Sequence, residues 1–244
     1  MRPLITAVGL LLAWEILVRS TGAPSYILPA PSLVLVVLIE RLDLLAGEAA
    51  WTAAEMAIGL LLGLALGGAL AIIFAASAGW RRWALPLVIV SQAIPVIALA
   101  PLLVLWLGYG LASKVAMAAL IIFFPVVSTL YDGLRRTEPG WLDLARTMDA
   151  SPLAILLQVR LPAALPAFAS GARIAAAIAP IGAVIGEWVG ASAGLGYLMT
   201  LSLARGQTPL AFAALVLLCL LGLALYYATD WLGRTLIPWQ PQGD

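Results

Sequence analysis

The sequence predicts an all-α, polytopic membrane protein, and three observations carry that expectation. Of its 244 residues, 64% are apolar and only 10% charged. Soluble domains carry roughly 45–50% apolar and about 25% charged residues, so this chain lacks the polar residues to cover a globule. Six apolar stretches, at about 4–18, 52–78, 83–107, 114–131, 172–190 and 209–231, reach or approach the ~20 residues that a helix needs to cross a bilayer. These stretches are rich in Ala, Leu and Gly, without the alternation of a barrel strand. We therefore expect one transmembrane domain over residues 1–244, a helical bundle of about six spans.

Taken in order, the first stretch is the weakest, because it is short and holds Trp14 and Glu15. Residues 1–23 have the outline of a signal peptide: Arg2, an apolar run, then Thr21-Gly22-Ala23. With so apolar a chain behind it, the segment is expected to stay as an anchor. The second stretch places Gly59, Gly63 and Gly67 at i, i+4 and i+8. Small residues on one helix face let backbones approach closely in lipid, so these predict packing. Glu55, at the start of that stretch, is expected at the interface. Pro86, Pro95, Pro101, Pro125 and Pro180 lie in or at the ends of later spans, and each removes a backbone donor and favours a kink. Trp80, Trp83, Tyr226, Tyr227 and Trp231 fall near span ends, where amphipathic rings are favoured.

Composition also excludes function classes. Histidine is absent and Cys219 is the single cysteine, so no disulfide framework, no Cys/His metal site and no Ser-His-Asp set is available. We expect no catalytic residue, no metal and no resident cofactor. A net charge of +1 gives no case for nucleic acid. Lys114 is the lone lysine and no GxxxxGK[ST] run exists, so the chain has no phosphate-binding loop of its own.

With the N-terminus inside, six spans put Arg2, Arg81, Arg82, Arg135, Arg136, Arg146, Arg160, Arg173 and Arg234 on the inner side. Arg19, Arg41, Lys114 and Arg205 fall outside. Nine against four follows the positive-inside rule and places both termini, and residues 132–171, in the cytoplasm. That segment is the longest polar interval between spans, so function is sought there. Thr137 is expected to cap a helix opening with Glu138 and Pro139. Leu142, Leu144, Ala145 and Met148 give it a partly apolar face, and Asp143 pairs with Arg146 for about 0.3 kcal/mol. The pattern breaks at Asp149-Ala150, and Ser151-Pro152 opens a second short helix ending at Leu161-Pro162. The result is a knuckle of two short helices, fit to fill a groove on a partner.

Those residues resemble the membrane components of binding-protein-dependent ABC importers. The family signature is EAA, three residues, Gly, nine residues, then I-x-L-P. Here Asp143, Leu144 and Ala145 stand at EAA, Asp149 at the glycine, Val159 at the isoleucine, and Leu161-Pro162 at L-P. Asp143 keeps the charge of Glu; Asp149 departs from Gly, where the turn asks for a left-handed residue that Asp tolerates at some cost. Ile27-Leu28-Pro29-Ala30-Pro31, Gln92-Ala93-Ile94-Pro95 and Gly186-Glu187-Trp188 with Gly194-Leu195-Gly196-Tyr197 are similar to the sulfonate, taurine, nitrate and thiamine-precursor branch. Within it, the runs SQAIPVIALAPLLVLWLGYG and DGLRRTEPGWLDLARTM look most like hydroxymethylpyrimidine permeases.

The resemblance implies an inner-membrane permease of an ATP-driven importer, paired with a second copy as a homodimer. Its implied partners are two ATP-binding subunits, which hold ATP and Mg, and an extracytoplasmic substrate-binding protein. Residues 143–162 become the loop that couples to the ATPase. In the membrane, Ser91, Gln92, Pro95 and Glu187 are the candidates for the solute path. Ser91 and Gln92 serve equally well as hydrogen-bond partners of a solute or of neighbouring helices. Glu187 either lines the path or braces the Gly194–Gly196 loop. Two rival classes are an ion-driven secondary transporter, which calls for an internal repeat and mid-span charges, and an intramembrane enzyme, for which no nucleophile–base set exists. The solute stays open between a thiamine precursor, a sulfonate or taurine, and nitrate.

Overall fold

The computed structural model describes residues 2–239, with side chains from Ile5 onward. The side chain of Arg2, counted above among the inner cations, lies outside the described part, as do residues 240–244. Among the described residues every regular element is helical: α1 (Arg2–Thr21), α2 (Pro31–Glu40), α3 (Leu42–Ala76), α4 (Ala78–Ser91), α5 (Val96–Leu107), α6 (Leu111–Arg135), α7 (Pro139–Thr147), α8 (Pro152–Ala154), a π-helical segment Ile155–Arg160, α9 (Leu161–Gly190), α10 (Leu195–Ala204) and α11 (Thr208–Leu236). Among them, α3, α6, the continuous helix Pro152–Gly190 and α11 are each long and apolar enough to cross a membrane. The pair α4 and α5 makes a fifth span if its two halves are taken together.

At the centre of the bundle is α6, packed between α3 and α9, and glycines make that closeness possible. A Cβ on Gly63 would collide with Ile122, and one on Gly59 would sit 2.5 Å from the Ala118 side chain. From α9, a Cβ on Gly182 would sit 2.6 Å from Ala118 Cα, and one on Gly171 would collide with Thr129. The predicted stripe is therefore packing within one chain. A matching stripe on α9 completes it, with Gly171, Gly182 and Gly186 reading at helical spacing. Apolar solvent supplies no drive to bring helices together, so close van der Waals contact has to supply it.

Several expectations need correcting. The third stretch, 83–107, is no single helix: α4 and α5 are bent by 101° at Gln92–Pro95. Pro95 pushes Ile94 out of helical geometry and serves as N-cap of α5 with φ −60° and ψ 115°. The second span begins at Leu42 rather than about residue 52, so Glu55 is no interfacial residue but is fully buried mid-helix. At 35 residues α3 is about 52 Å long, well beyond a hydrocarbon core. Within the polar interval 132–171, α6 runs on to Arg135 and helix resumes at Pro152, so residues 136–151 are the connection between the two long helices. Leu161-Pro162 does not end that helix. Proline at 162 has no N–H and would clash with the carbonyl four residues back, and the preceding π-helical turn relieves this: Leu161 donates to Leu156 O, five residues earlier.

Helices α2 and α10, which the sequence reading did not resolve, are too short to cross. The anchoring of α2 explains the acid in α1. Glu15 accepts from Arg19 Nε at 2.7 Å and from both Ser32 N and Ser32 Oγ, at 3.0 and 2.9 Å. It thereby satisfies the Ser32 amide at the start of α2, which its own turn leaves free. Trp14 packs on Phe212 of α11, ring centroids 5.7 Å apart. Arg173 and Arg234, counted above among the inner cations, both close on Asp230 at 2.9 Å; the Arg173 pair ties α9 to α11, and the Arg234 pair lies within α11.

Gly63→Val should destabilise the bundle by about 1–3 kcal/mol through overpacking against Ile122. Gly47→Ala, where an added methyl meets nothing, should leave stability unchanged or raise it by up to ~1 kcal/mol. Thermal melting of the two variants in detergent checks the contrast.

Candidate functional site

The connection between α6 and the Pro152–Gly190 helix projects from one end of the bundle. Its helix α7 starts at Pro139 with Glu138 as N-cap and no side-chain cap. Thr137 is not the cap: it is buried and donates its hydroxyl to Leu134 O at 3.2 Å. The turn after α7 is made by Asp149 in the left-handed region, φ +54°, the single non-glycine residue with positive φ among the described residues. Ser151 then accepts from Ala154 N at 3.2 Å with Pro152 following, the cap-and-proline start read from the sequence. The knuckle thus has one short helix and the foot of a long one, in place of two short helices.

Its apolar residues divide between two faces. Leu142 and Ala145 are half-buried, while Trp141, Leu144 and Met148 are exposed, at i, i+3 and i+7. An outward stripe of this spacing is the form a groove-filling helix takes. Trp141 is not part of the apolar face read from the sequence, Leu142, Leu144, Ala145 and Met148, and the structure adds it to the exposed stripe. Asp143 is exposed and pairs with Arg146 at 2.9 Å. Val159, Leu161 and Pro162 do not share this face; they are half-buried in the π-helical segment and the start of α9. The base of the loop is held by Arg160, whose Nε and Nη2 both donate to Leu134 O, at 3.0 and 2.8 Å. That guanidinium sits at the C-terminal end of α6, the negative end of its dipole, so α7 is tethered to the two central helices at once.

The four candidates for a solute path do not form one group. Ser91, Gln92 and Pro95 lie together at the α4–α5 break, where Ser91 Oγ donates to Val88 O at 2.7 Å and accepts from Gln92 Nε2 at 3.3 Å. Gln92 and Pro95 are exposed. Glu187 is elsewhere and is 1% exposed. One of its oxygens accepts from Thr52 Oγ1 at 2.6 Å, and the other from Gly196 N. Its carboxylate is thereby committed to a loop.

Glu187 belongs to a cluster that the sequence reading dispersed. Glu48 and Thr52 of α3, one turn apart, accept from Gly194 N and Leu195 N. With Glu187 on Gly196 N, three successive amides at the start of α10 each have a side-chain partner from another helix. Gly194 has φ +112°, and a Cβ there would run into the Glu187 carboxyl group. The Gly-Leu-Gly spelling is required on both counts. One turn farther along α3, Glu55 forms an ion pair with Lys114 of α6 at 3.0 Å, both side chains buried. Lys114 is therefore no outer-loop cation, and Glu187 has buried charged neighbours. The signal was available as Glu48, Thr52 and Glu55 at i, i+4 and i+7, hidden by placing the span start too late. Among the described residues no His/Cys/Asp/Glu group has the makings of a metal site.

A helical bundle with one broken span and a tethered, outward-facing knuckle describes a membrane transport subunit, and comparison with known proteins agrees. Residues 59–238 match the family described as binding-protein-dependent transport system inner membrane component. This chain belongs to that family: it is a multi-pass permease subunit of an ABC importer, whose ATPase is a separate subunit. It is 51% identical to a probable ABC transporter permease protein of Haemophilus influenzae over 95% of each chain. It is 38% identical to the formylaminopyrimidine transport permease ThiX of Halalkalibacterium halodurans, over 98% of this chain and 96% of that one. A riboflavin transport permease, RibX of Chloroflexus aurantiacus, is also 38% identical, over 97% and 89%. Among solved structures, the MetNI methionine ABC transporter in inward-facing form superposes with a TM-score of 0.71, at 23% identity, over 80% of this chain and 97% of its own. That likeness carries the fold.

Removing one member of the buried ion pair should cost more than removing both. Lys114→Met alone strands the Glu55 carboxylate and should cost roughly 3–5 kcal/mol, while Lys114→Met with Glu55→Leu should regain most of it. Thermal melting of the single and double variants in one detergent reads the difference.

Proposed function

We propose that this permease carries a small pyrimidine precursor of thiamine, handed over by a substrate-binding protein, through a pathway between two copies of the chain. The observation that carries the mechanism is the knuckle: an exposed apolar stripe, Trp141, Leu144 and Met148, on a helix clamped through Arg160 to the ends of α6 and α9. A partner that binds this stripe gains a rigid handle on the two central helices. In this reading two ATP-binding subunits, holding ATP and Mg, grip the two knuckles. Asp143, Leu144 and Ala145 sit in the contact, Asp149 sets its turn, and Val159, Leu161 and Pro162 form the foot that passes force into α9.

Alternating access needs only that each side's ligand stabilises one of two arrangements. ATP binding draws the knuckles together and favours the outward-open form; hydrolysis releases it. The α4–α5 break, with Ser91, Gln92 and Pro95, supplies the exposed polar backbone and side chains of a path, because unpaired backbone at membrane depth is tolerated where it lines a cavity. Glu187 acts as a loop brace, since both its oxygens already have partners. With α1 as a sixth crossing, the chain lies in a bacterial inner membrane with both termini inside, as the positive-inside count favours.

The solute reading rests on the thiamine-precursor resemblance and on the similarity to a formylaminopyrimidine permease. Permease, ATPase and binding protein reconstituted together should accumulate hydroxymethylpyrimidine in proteoliposomes only when ATP is enclosed, with riboflavin, taurine and nitrate as failing competitors. Competition by any of the three would reassign the solute, and uptake without the ATPase would make the chain a secondary transporter.

Asp143→Lys and Asp149→Val should each lower ATPase association and uptake at least tenfold while membrane insertion persists. Asp149→Gly should retain or improve both, as glycine adopts positive φ without strain. Co-purification and uptake measured on the same preparations check this.

A further inference from the structure

We propose that the cleft between α4 and the end of α6 binds the phosphate of an anionic phospholipid. A cavity of about 430 Å³ there is lined by Arg81, Arg82, Arg135, Tyr131, Leu85 and Pro86. Its three guanidinium groups are a concentration of positive charge with no carboxylate in the wall, and none of the three makes an ion pair among the described residues. Elsewhere Arg19, Arg146, Arg173 and Arg234 pair with acids and Arg160 donates to a carbonyl; Arg41, Arg136 and Arg205 also form no ion pair among the described residues, but Arg41 and Arg205 share their cavity with Glu48.

Local structure makes the excess sharper. Arg81 and Arg82 follow directly on the first turn of α4, which contains no acid, and Ala78 at its start also faces the cleft. The N-terminal end of a helix carries partial positive charge, so cations there are unfavourable unless an anion accompanies them. Arg135 stands over the Tyr131 ring with its central carbon 5.6 Å from the centroid. Holding the guanidinium plane from one face leaves its N–H edge directed to a second partner, and that edge matches phosphate oxygens.

A phosphate attached to acyl chains fits better than a free one. Trp80 and Trp83 of the same helix are exposed beside the cleft, and Leu87, Ile89 and Val90 continue an exposed apolar surface away from it. Aromatic rings at the headgroup level with an apolar helix face beyond form a lipid-facing surface. The cleft lies at the same end of the bundle as α7, since α3 ends and α4 starts there beside the last turns of α6. The orientation proposed above puts that end in the cytoplasmic leaflet, where anionic headgroups and interhelical basic pockets meet. A bound lipid would staple the bent α4–α5 pair to α6.

The test uses the permease–ATPase complex in nanodiscs of mixed phosphatidylcholine and phosphatidylglycerol, with retained lipids counted by native mass spectrometry. The unmodified complex should retain phosphatidylglycerol preferentially. Each arginine near an anionic headgroup changes affinity about fivefold, so Arg82→Gln should cut the enrichment about fivefold. Arg81→Gln, Arg82→Gln and Arg135→Gln together should cut it on the order of a hundredfold. Arg41→Gln with Arg205→Gln, which removes charge at the other end, should leave it intact. Unchanged enrichment in Arg82→Gln and the triple variant overturns the proposal, as does equal loss in the control pair. Displacement of the lipid by inorganic phosphate would assign the site to a free anion. Loss of the ATPase subunit from Arg82→Gln would assign the arginines to that interface. Either result also overturns the lipid site.

Discussion

A chain that turns back on itself in an apolar surround must supply its own partners for every amide it frees, and this requirement organises the structure. The demand is greatest at the start of α10, where Gly194, Leu195 and Gly196 present three amides sealed from water. Glu48 and Thr52 reach them from α3 and Glu187 from α9. The same contacts that satisfy the turn therefore fix α3, α9 and α10 relative to one another. An unsatisfied buried donor costs about 1–3 kcal/mol, so the register of three helices is set here by hydrogen bonding. In the rest of the bundle it is set by fit.

The fit works by subtraction. Glycines on α3 and α9 remove the side chains that would hold α6 away, and dispersion over the closed seams supplies the attraction that water does not. A rigid three-helix unit follows, with its charges kept inside: Lys114 of α6 faces Glu55 of α3. The irregular parts are arranged around that unit. α4 and α5 are bent by 101° and joined by exposed residues, and α7 stands off one end on a left-handed Asp149. A close-packed centre with one broken span and one external handle suits a subunit driven from outside, since force applied at the handle reaches the membrane through packed helices.

The Arg160 contact links handle and centre. Its two donors to Leu134 O close the loop from the end of α6 to the start of α9, so α7 does not hang on a free linker. The π-helical turn that contains Arg160 also lets the helix pass Pro162. One local irregularity thus positions the tether and preserves the continuity of the longest helix. Such turns are frequent where a helix carries function.

By itself, the sequence determined the class of protein. Apolar content, helical runs of crossing length and the spacing from Asp143 to Pro162 are one-dimensional quantities, and solvent and helix geometry act on them directly. The Ser151-Pro152 start and the left-handed Asp149 were legible for the same reason: each depends on a few adjacent residues. Only the tertiary structure decided what depends on depth and on distant partners. A Glu at position 55 reads as interfacial until α3 is seen to begin at Leu42, because burial is a property of the neighbours. Pro162 reads as a stop until a change of hydrogen-bond register absorbs it. Glu187, Thr52 and Glu48 are separated by up to 139 positions along the chain, and no local pattern announces that they converge on one turn. Charge that must be neutralised inside an apolar layer selects its partner across space, and that selection is invisible until the helices pack.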